Sequence, residues 1–339
     1  MVNWVPNKSI DLEYVNRLLL KCQKTNQFTN NGPNVQDLEK EIRILLEIDE
    51  SKSVICISNG THALHACVAA FEMYLNKELT FATQSFTFPA SAQGYLKNTK
   101  IIDIDSSGSL DISQIPKDID GIIVTNIFGN VCEIDKYVDW CNNNKKFLIF
   151  DNAATPYTQY KGINACNFGN ASTISFHHTK PIGFGEGGCV IIDSKYEQYI
   201  RRVINFGFEK IPIPLWNRIG SNYKMSDIQA IFILQYLSNF KQIVNKHKQL
   251  TNYFFAKTNF KPFPNYSSET PFLSCFCFLV DNSDIKLKIL IENQIYARKY
   301  YTPLENTPTA SDFYSKIICI PCTIDMGYSD IDKIIELLK

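Results

Sequence analysis

The segment 172-STISFHHTKPIGFGEGGCVIID-193 decides how the chain is read. Residues 172–176 are β-branched and apolar, residues 188–193 repeat that character, and a polar turn with a glycine run lies between them. Lys180 sits in that turn, beside His177 and His178, with Pro181, Gly183, Gly185, Gly187 and Gly188 behind it. Glycine lets the backbone pass close to a bound group or take a positive φ. A lysine that forms a Schiff base with a carbonyl cofactor needs such surroundings; the plain alternative is a surface lysine in a hairpin. G-F-G-E-G-G also fits G-x-G-x-x-G, but a dinucleotide fingerprint must open a helix, and this run enters a strand.

Upstream, strands and helices alternate from residue 53, which argues for an α/β fold with a mostly parallel sheet covered by helices. SVICIS ends in Asn59, Gly60 and Thr61 at the start of the helix HALHACVAAFEMYL. Free N–H groups and the helix dipole make that start an anion site, and Gly60 permits close approach. Strands follow near 100–105 and 121–128, and a helix near 134–144. KFLIFDNAATP then delivers Asp151 at the carboxyl end of a buried strand, where ligands collect in open α/β sheets. Two helices, 11–22 and 35–47, precede all of this and flank the polar loop QFTNNGPNV. Downstream, a helix near 195–205 leads to a loop and one long amphipathic helix that Ser226 can cap. The last part mixes alternating runs such as PFLSCFCFLV with a final helix from about Ser329. The expected division is 1–245 for a large domain and 246–339 for a smaller C-terminal α+β domain.

S-F-H-x-T-K with G-E-G-G, N-G-T at 59–61, T-F-P-A-S-A at 87–92, D-N-A-A at 151–154 and G-S-N-Y-K-M at 220–225 stand in an order that resembles the DegT/StrS-type sugar aminotransferases. The resemblance spans about 25–325. It implies a fold-type I enzyme using pyridoxal 5'-phosphate (PLP), with Lys180 carrying the cofactor and acting as general base and acid. Asp151 would keep the pyridine nitrogen protonated, making the ring an electron sink. Gly60, Thr61 and Ser175 would hold the phosphate, and Phe88 would lie over the ring. Asn222 would reach the phosphate of a neighbouring subunit, making the active unit a homodimer with shared sites. Thr29, Asn31 and His178 are substrate candidates, and no metal is expected.

By the same resemblance the substrate is a UDP- or dTDP-linked 4-keto-6-deoxy-hexose, converted to the 4-amino-4,6-dideoxy sugar with glutamate as amino donor. A C3 aminotransferase on a 3-keto sugar nucleotide is an alternative, as is a catalytically silent sugar-nucleotide-binding protein. The silent protein would be expected to lose Lys180 or Asp151, and the family's dehydratases carry histidine where Lys180 stands. The chain departs from the usual pattern in three places. Ala154 stands where a glutamine commonly contacts the cofactor, Lys224 replaces an arginine, and Glu305 replaces a histidine in ARKYYTPLE (297–305).

The 339 residues include 34 basic and 34 acidic side chains, a formal net charge of zero. No long basic run suggests a nucleic-acid or anionic-membrane surface. No apolar stretch approaches bilayer-spanning length, and the N-terminus lacks a secretory apolar core. Eleven scattered cysteines look like reduced thiols, so the expected location is the cytoplasm. C-I-P-C at 319–322 does not open a helix as a redox pair should, and is expected to be two thiols at a strand end.

Overall fold

A computed structural model describes residues 1–154, 156–209, 215–260, 263 and 272–339. Two helices come first, α1 (Leu12–Thr25), capped by the Asp11 carboxylate, and α2 (Pro33–Leu45). The alternating segment follows as β1 (Lys52–Ile57), α3 (Gly60–Leu75), β2 (Phe81–Gln84), β3 (Lys100–Ile102), β4 (Gly121–Thr125), α4 (Ile134–Asn144) and β5 (Phe147–Asp151). A short ribbon, β6 (Gln159–Tyr160) with β7 (Ile163–Asn164), precedes β8 (Ala171–Ser175), β9 (Gly188–Asp193) and α5 (Glu197–Val203).

Seven of these strands form one sheet in the order β1-β9-β8-β5-β4-β2-β3. Only β9 runs against its neighbours, β1 and β8; the other adjacent pairs are parallel. β1 and β9 carry unbroken apolar stretches, 54–57 and 189–192, because both faces of the sheet are covered. Val54 and Cys56 pack on one side with Leu38 of α2, while Ile55 and Ile57 pack on the other with Leu64 of α3. G-F-G-E-G-G does lead into β9, as expected of a turn between strands.

The one long amphipathic helix expected from Ser226 is two helices, α6 (Asp227–Leu237) and α7 (Phe240–Lys257). Ser226 caps α6 as expected, its hydroxyl accepting from the Gln229 N–H. α6 is apolar around most of its circumference because it is sandwiched between the first two helices and the sheet; Ile231, Ile233 and Leu234 are all buried. α7 carries the amphipathic pattern and crosses the expected boundary at 245/246. Its Phe240, Ile243 and Val244 join the core beside the large sheet, and its Leu250 and Phe254 join a second core. That second core lies under β10 (Cys275–Leu279) and β11 (Ile317–Pro321), an antiparallel pair covered by α8 (Ser283–Glu292) and α10 (Tyr328–Leu338), with α9 (Pro308–Lys316) leading into β11. Pro271, which opens the alternating run PFLSCFCFLV, lies outside the described residues.

C-I-P-C splits in space. Cys319 lies within β11, its sulfur within 4.8 Å of those of Cys275 and Cys277. Cys322 lies beyond the strand, its sulfur 3.5 Å from His247 Nδ1. All eleven cysteines are free thiols. No helix of the described residues is long and apolar enough to cross a membrane.

Candidate active site

The parallel strands β4 and β5 and the neighbouring β8 end at one edge of the sheet, and a cavity of about 620 Å³ opens there. Its first wall is the turn from β1 into α3. The Asn59 side chain caps that helix by accepting from the His62 N–H at 2.8 Å, and the Asn59 carbonyl takes the Ala63 N–H at 3.1 Å. Those two bonds leave the Gly60 and Thr61 N–H groups without an acceptor among the described residues, facing the cavity at the positive end of the dipole. A Cβ on Gly60 would stand 3.0 Å from Ser175 Cβ, so this glycine is what lets the turn lie against the end of β8. Gly60, Thr61 and Ser175 thereby line one cup.

Lys180 and Asp151 line the same cavity. Asp151, the last residue of β5, is buried; its Oδ1 accepts from the Ala153 N–H at 3.0 Å and the Thr173 hydroxyl at 3.3 Å. Its second oxygen takes no hydrogen bond among the described residues. Burial raises the Asp151 pKa above the ordinary carboxylate value, opposed by the Ala153 N–H, the Lys180 charge and the Thr173 hydroxyl. Burial also lowers the pKa of Lys180, opposed mainly by the charge of Asp151. The two side chains therefore feel each other across the cavity.

The glycines around Lys180 serve the protein's own backbone. A Cβ on Gly183 would lie 2.1 Å from the His177 carbonyl oxygen, and one on Gly188 would lie 2.4 Å from the Asn59 carbonyl carbon. The first closes the lysine turn on itself, and the second lets β9 pass beneath the cup. Phe88 lines the cavity with 57% of its surface exposed, so a flat ligand can cover it.

Other lining residues were not singled out from the sequence as site residues. His177 has its Nδ1 2.8 Å from the Thr179 hydroxyl and its Nε2 3.6 Å from Glu186. Tyr300 and Tyr301, from ARKYYTPLE, form a wall supplied by the loop between α8 and α9, and Tyr301 stacks on Phe128 with centroids 5.2 Å apart. The matched motif at 297–305 was the available signal. His62, which also faces the cavity, stacks on Tyr223 at 4.3 Å. Ala154 lines the cavity too, and as an alanine it brings no polar group there.

Four predicted residues lie elsewhere. The His178 ring packs on Phe184, its Nδ1 taking the Gly185 N–H, and does not line the cavity; His177 does, because it shares a side with Ser175. Thr29, Asn31 and Asn222 are exposed and line no part of this cavity. They belong to two loops that one buried carboxylate ties together. Asp227 accepts from the N–H groups of Gly32 at 3.0 Å, Asn34 at 2.7 Å and Val35 at 3.4 Å, and its own N–H donates to the Phe28 carbonyl. Asn222 pairs with Asn205, and Lys224 pairs with Ile57 at the end of β1.

The residues fit pyridoxal phosphate. A phosphate suits the Gly60–Thr61–Ser175 cup. A protonated ring nitrogen suits the unpartnered oxygen of buried Asp151, and a carbonyl suits Lys180.

Comparison with known proteins agrees. One relative is the dTDP-4-amino-4,6-dideoxy-D-glucose transaminase of Shigella dysenteriae, 26% identical, with 92% of this chain and 91% of the relative covered. Another is the UDP-4-amino-4,6-dideoxy-N-acetyl-beta-L-altrosamine transaminase of Campylobacter jejuni, 24% identical, with 90% and 88% covered. Among solved structures, Helicobacter pylori PseC, an aminotransferase involved in the biosynthesis of pseudoaminic acid, superposes with a TM-score of 0.86 at 18% identity, covering 99% of this chain and 98% of the other. The model of the DegT/DnrJ/EryC1/StrS aminotransferase family matches residues 10–339, and the chain belongs to that family of PLP-dependent enzymes.

Proposed function

We propose that this aminotransferase converts a UDP- or dTDP-linked 4-keto-6-deoxy-hexose to the 4-amino-4,6-dideoxy sugar, with glutamate as amino donor. The observation that carries the reading is the convergence of Lys180, Asp151 and the Gly60–Thr61–Ser175 cup on one cavity at the carboxyl edge of a parallel sheet. PLP, when bound, supplies an electron sink for the bonds of the amino-bearing carbon. Lys180 Nζ holds the cofactor and then moves the proton at that carbon. Its lowered pKa leaves more of the amine uncharged and able to accept. Asp151 keeps the pyridine nitrogen protonated with its free oxygen. Phe88, Tyr300 and Tyr301 wall the cofactor side from water.

Both curated relatives described above are named for 4-amino-4,6-dideoxy sugars, one on dTDP and one on UDP, which favours the C4 position and leaves both nucleotides in play. Thr29, Asn31 and Asn222 serve the site of a second subunit in this reading. Their exposure, and the Asp227 anchor that holds their loops in fixed relation, support that role.

The test is an amination assay with glutamate over UDP- and dTDP-linked 4-keto and 3-keto 6-deoxy sugars. Turnover of a 4-keto substrate with release of 2-oxoglutarate is expected. Turnover confined to 3-keto substrates would move the assignment to C3.

A further inference from the structure

Residues 2–8 cross the molecule as a strap. Val2 exchanges backbone hydrogen bonds with Gln294 and Tyr296 at 2.9 and 3.0 Å, and its side chain is buried in the core of the smaller sheet. Trp4 then packs edge-on to Tyr300 with centroids 5.3 Å apart, under the Arg298 guanidinium. The Asn7 N–H is held by Asp325 at 2.6 Å. One residue later the strap reaches the turn that carries Lys180.

Lys8 Nζ donates to the carbonyl oxygen of His178 at 2.6 Å, to that of Lys180 itself at 2.9 Å, and to that of Gly183. An ammonium has three protons, and here each meets a different point of one turn. The ring of Tyr236 covers a further side, 4.7 Å from the nitrogen. No carboxylate pairs with Lys8 among the described residues. The His178 and Gly183 carbonyls accept from no other donor there, so Lys8 ties down groups that the turn's own bonds leave open. Those own bonds include Lys180 N–H to the His177 carbonyl, Gly183 N–H to the Lys180 carbonyl and His178 N–H to the Gly185 carbonyl. Burial without a counter-ion disfavours the charge, lowering the Lys8 pKa to about 7, while the three carbonyl dipoles favour it. A partly buried cation that meets only dipoles is a weak device for stability but a good one for geometry, because it fixes three atoms of a loop relative to one point.

We propose that Lys8 is a positioning residue for the reaction: it fixes the turn that aims Lys180 and couples that turn to the Tyr300 wall through the strap. The proposal rests on the reading that Lys180 carries the cofactor.

The experiment compares the wild-type chain with Lys8→Met and Lys8→Arg, first as apoprotein. Amide hydrogen exchange of a peptide covering 177–185 should quicken by about tenfold or more in Lys8→Met, as expected when charge-assisted bonds to a loop are lost, with peptides from β4 and β5 unchanged. Lys8→Arg keeps the charge and should recover part of the protection. With PLP added, the pH midpoint of the bound cofactor's absorbance should shift in Lys8→Met, and kcat should fall more than KM rises. Lys8→Gln, with two donors at most, makes the same comparison should Lys8→Met not fold. Unchanged exchange in 177–185 together with an unmoved absorbance midpoint overturns the proposal. Borohydride reduction and peptide mapping of the wild-type enzyme keep the two readings apart. A label on another lysine sinks the Lys180 assignment and leaves the exchange result to judge the contact between Lys8 and the turn.

Discussion

Two sets of candidate residues stand out in this chain, and they face different ways. Gly60, Thr61, Asp151, Ser175 and Lys180 come from separate stretches yet turn inward on one cavity. Thr29, Asn31 and Asn222 also come from distant stretches, and their loops are brought together by Asp227, but they face outward. Both regions are held by buried hydrogen bonds. The difference is that the first set lines a cavity of its own chain, whereas the second presents unburied polar side chains on loops braced by Asp227. A motif tells which chemistry a residue suits, and burial tells which cavity of its own chain it lines.

The sharpest way to break this contrast is to disable one member of each set. Lys180→Ala should lower turnover by at least ~10²-fold, because the acid and base that moves the proton is gone. Asn222→Ala should be clearly impaired only if it contributes to a cofactor site. Mixing the two variants should then restore activity above either parent, since some mixed dimers carry one site with both residues intact. A verified subunit exchange without rescue, with Asn222→Ala impaired on its own, would place both sets in the service of one chain.

A smaller effect is expected at the anchor of the outward loops. Asp227→Ala leaves three backbone N–H groups without their acceptor and should destabilise the protein by roughly 2–4 kcal/mol. The cup should survive that loss. Denaturant unfolding would measure it, and a cofactor affinity that fell in step with stability in the monomeric fraction would argue that the two regions are not independent.

The smallest effect is electrostatic and is read on the inward set. Lys180 has a folded pKa below its ordinary value, so between the two the unfolded chain binds a proton that the folded chain does not, and stability rises with pH across that window. Asp151 has a raised folded pKa. Between the ordinary carboxylate value and the raised one the folded chain holds the extra proton, so its contribution is lost as pH rises through that lower window. Lys8 acts in the same direction as Lys180. The difference in thermal midpoint between wild-type and Lys180→Met apoprotein should therefore move in favour of the wild type from pH 7 to 10, and a flat difference would contradict the burial of this lysine.

Much of the inward set was legible because each member sits in a local pattern: a strand end, a glycine before a helix, a lysine in a turn. Those patterns report on backbone geometry within a few residues. Tyr300 and Tyr301 are visible in the sequence only as a matched motif with no role, since what makes them a wall is the packing of Tyr301 on Phe88 and Phe128, and of Tyr300 on Trp4, far away in sequence. Lys8 left no trace, being 172 residues from Lys180 in a stretch without periodicity. The break between α6 and α7 was missed for a different reason. An apolar run with a helical period reads the same whether it is continuous or bent at Ser238 and Asn239, and no proline or glycine marks the bend. The pairing of Cys322 with His247 again depended on tertiary contact.

The course of α7 through two cores bears on how the protein comes apart. One unbroken rod has its first turns embedded beside the large sheet and its last turns beside the small one, so neither core can melt without unravelling a helix that the other holds. The two sheets should share a single cooperative transition, visible as one calorimetric peak. A chain cut at residue 245 would leave each half with a torn helix end and an open apolar face, which makes the smaller sheet a poor candidate for production as a separate piece.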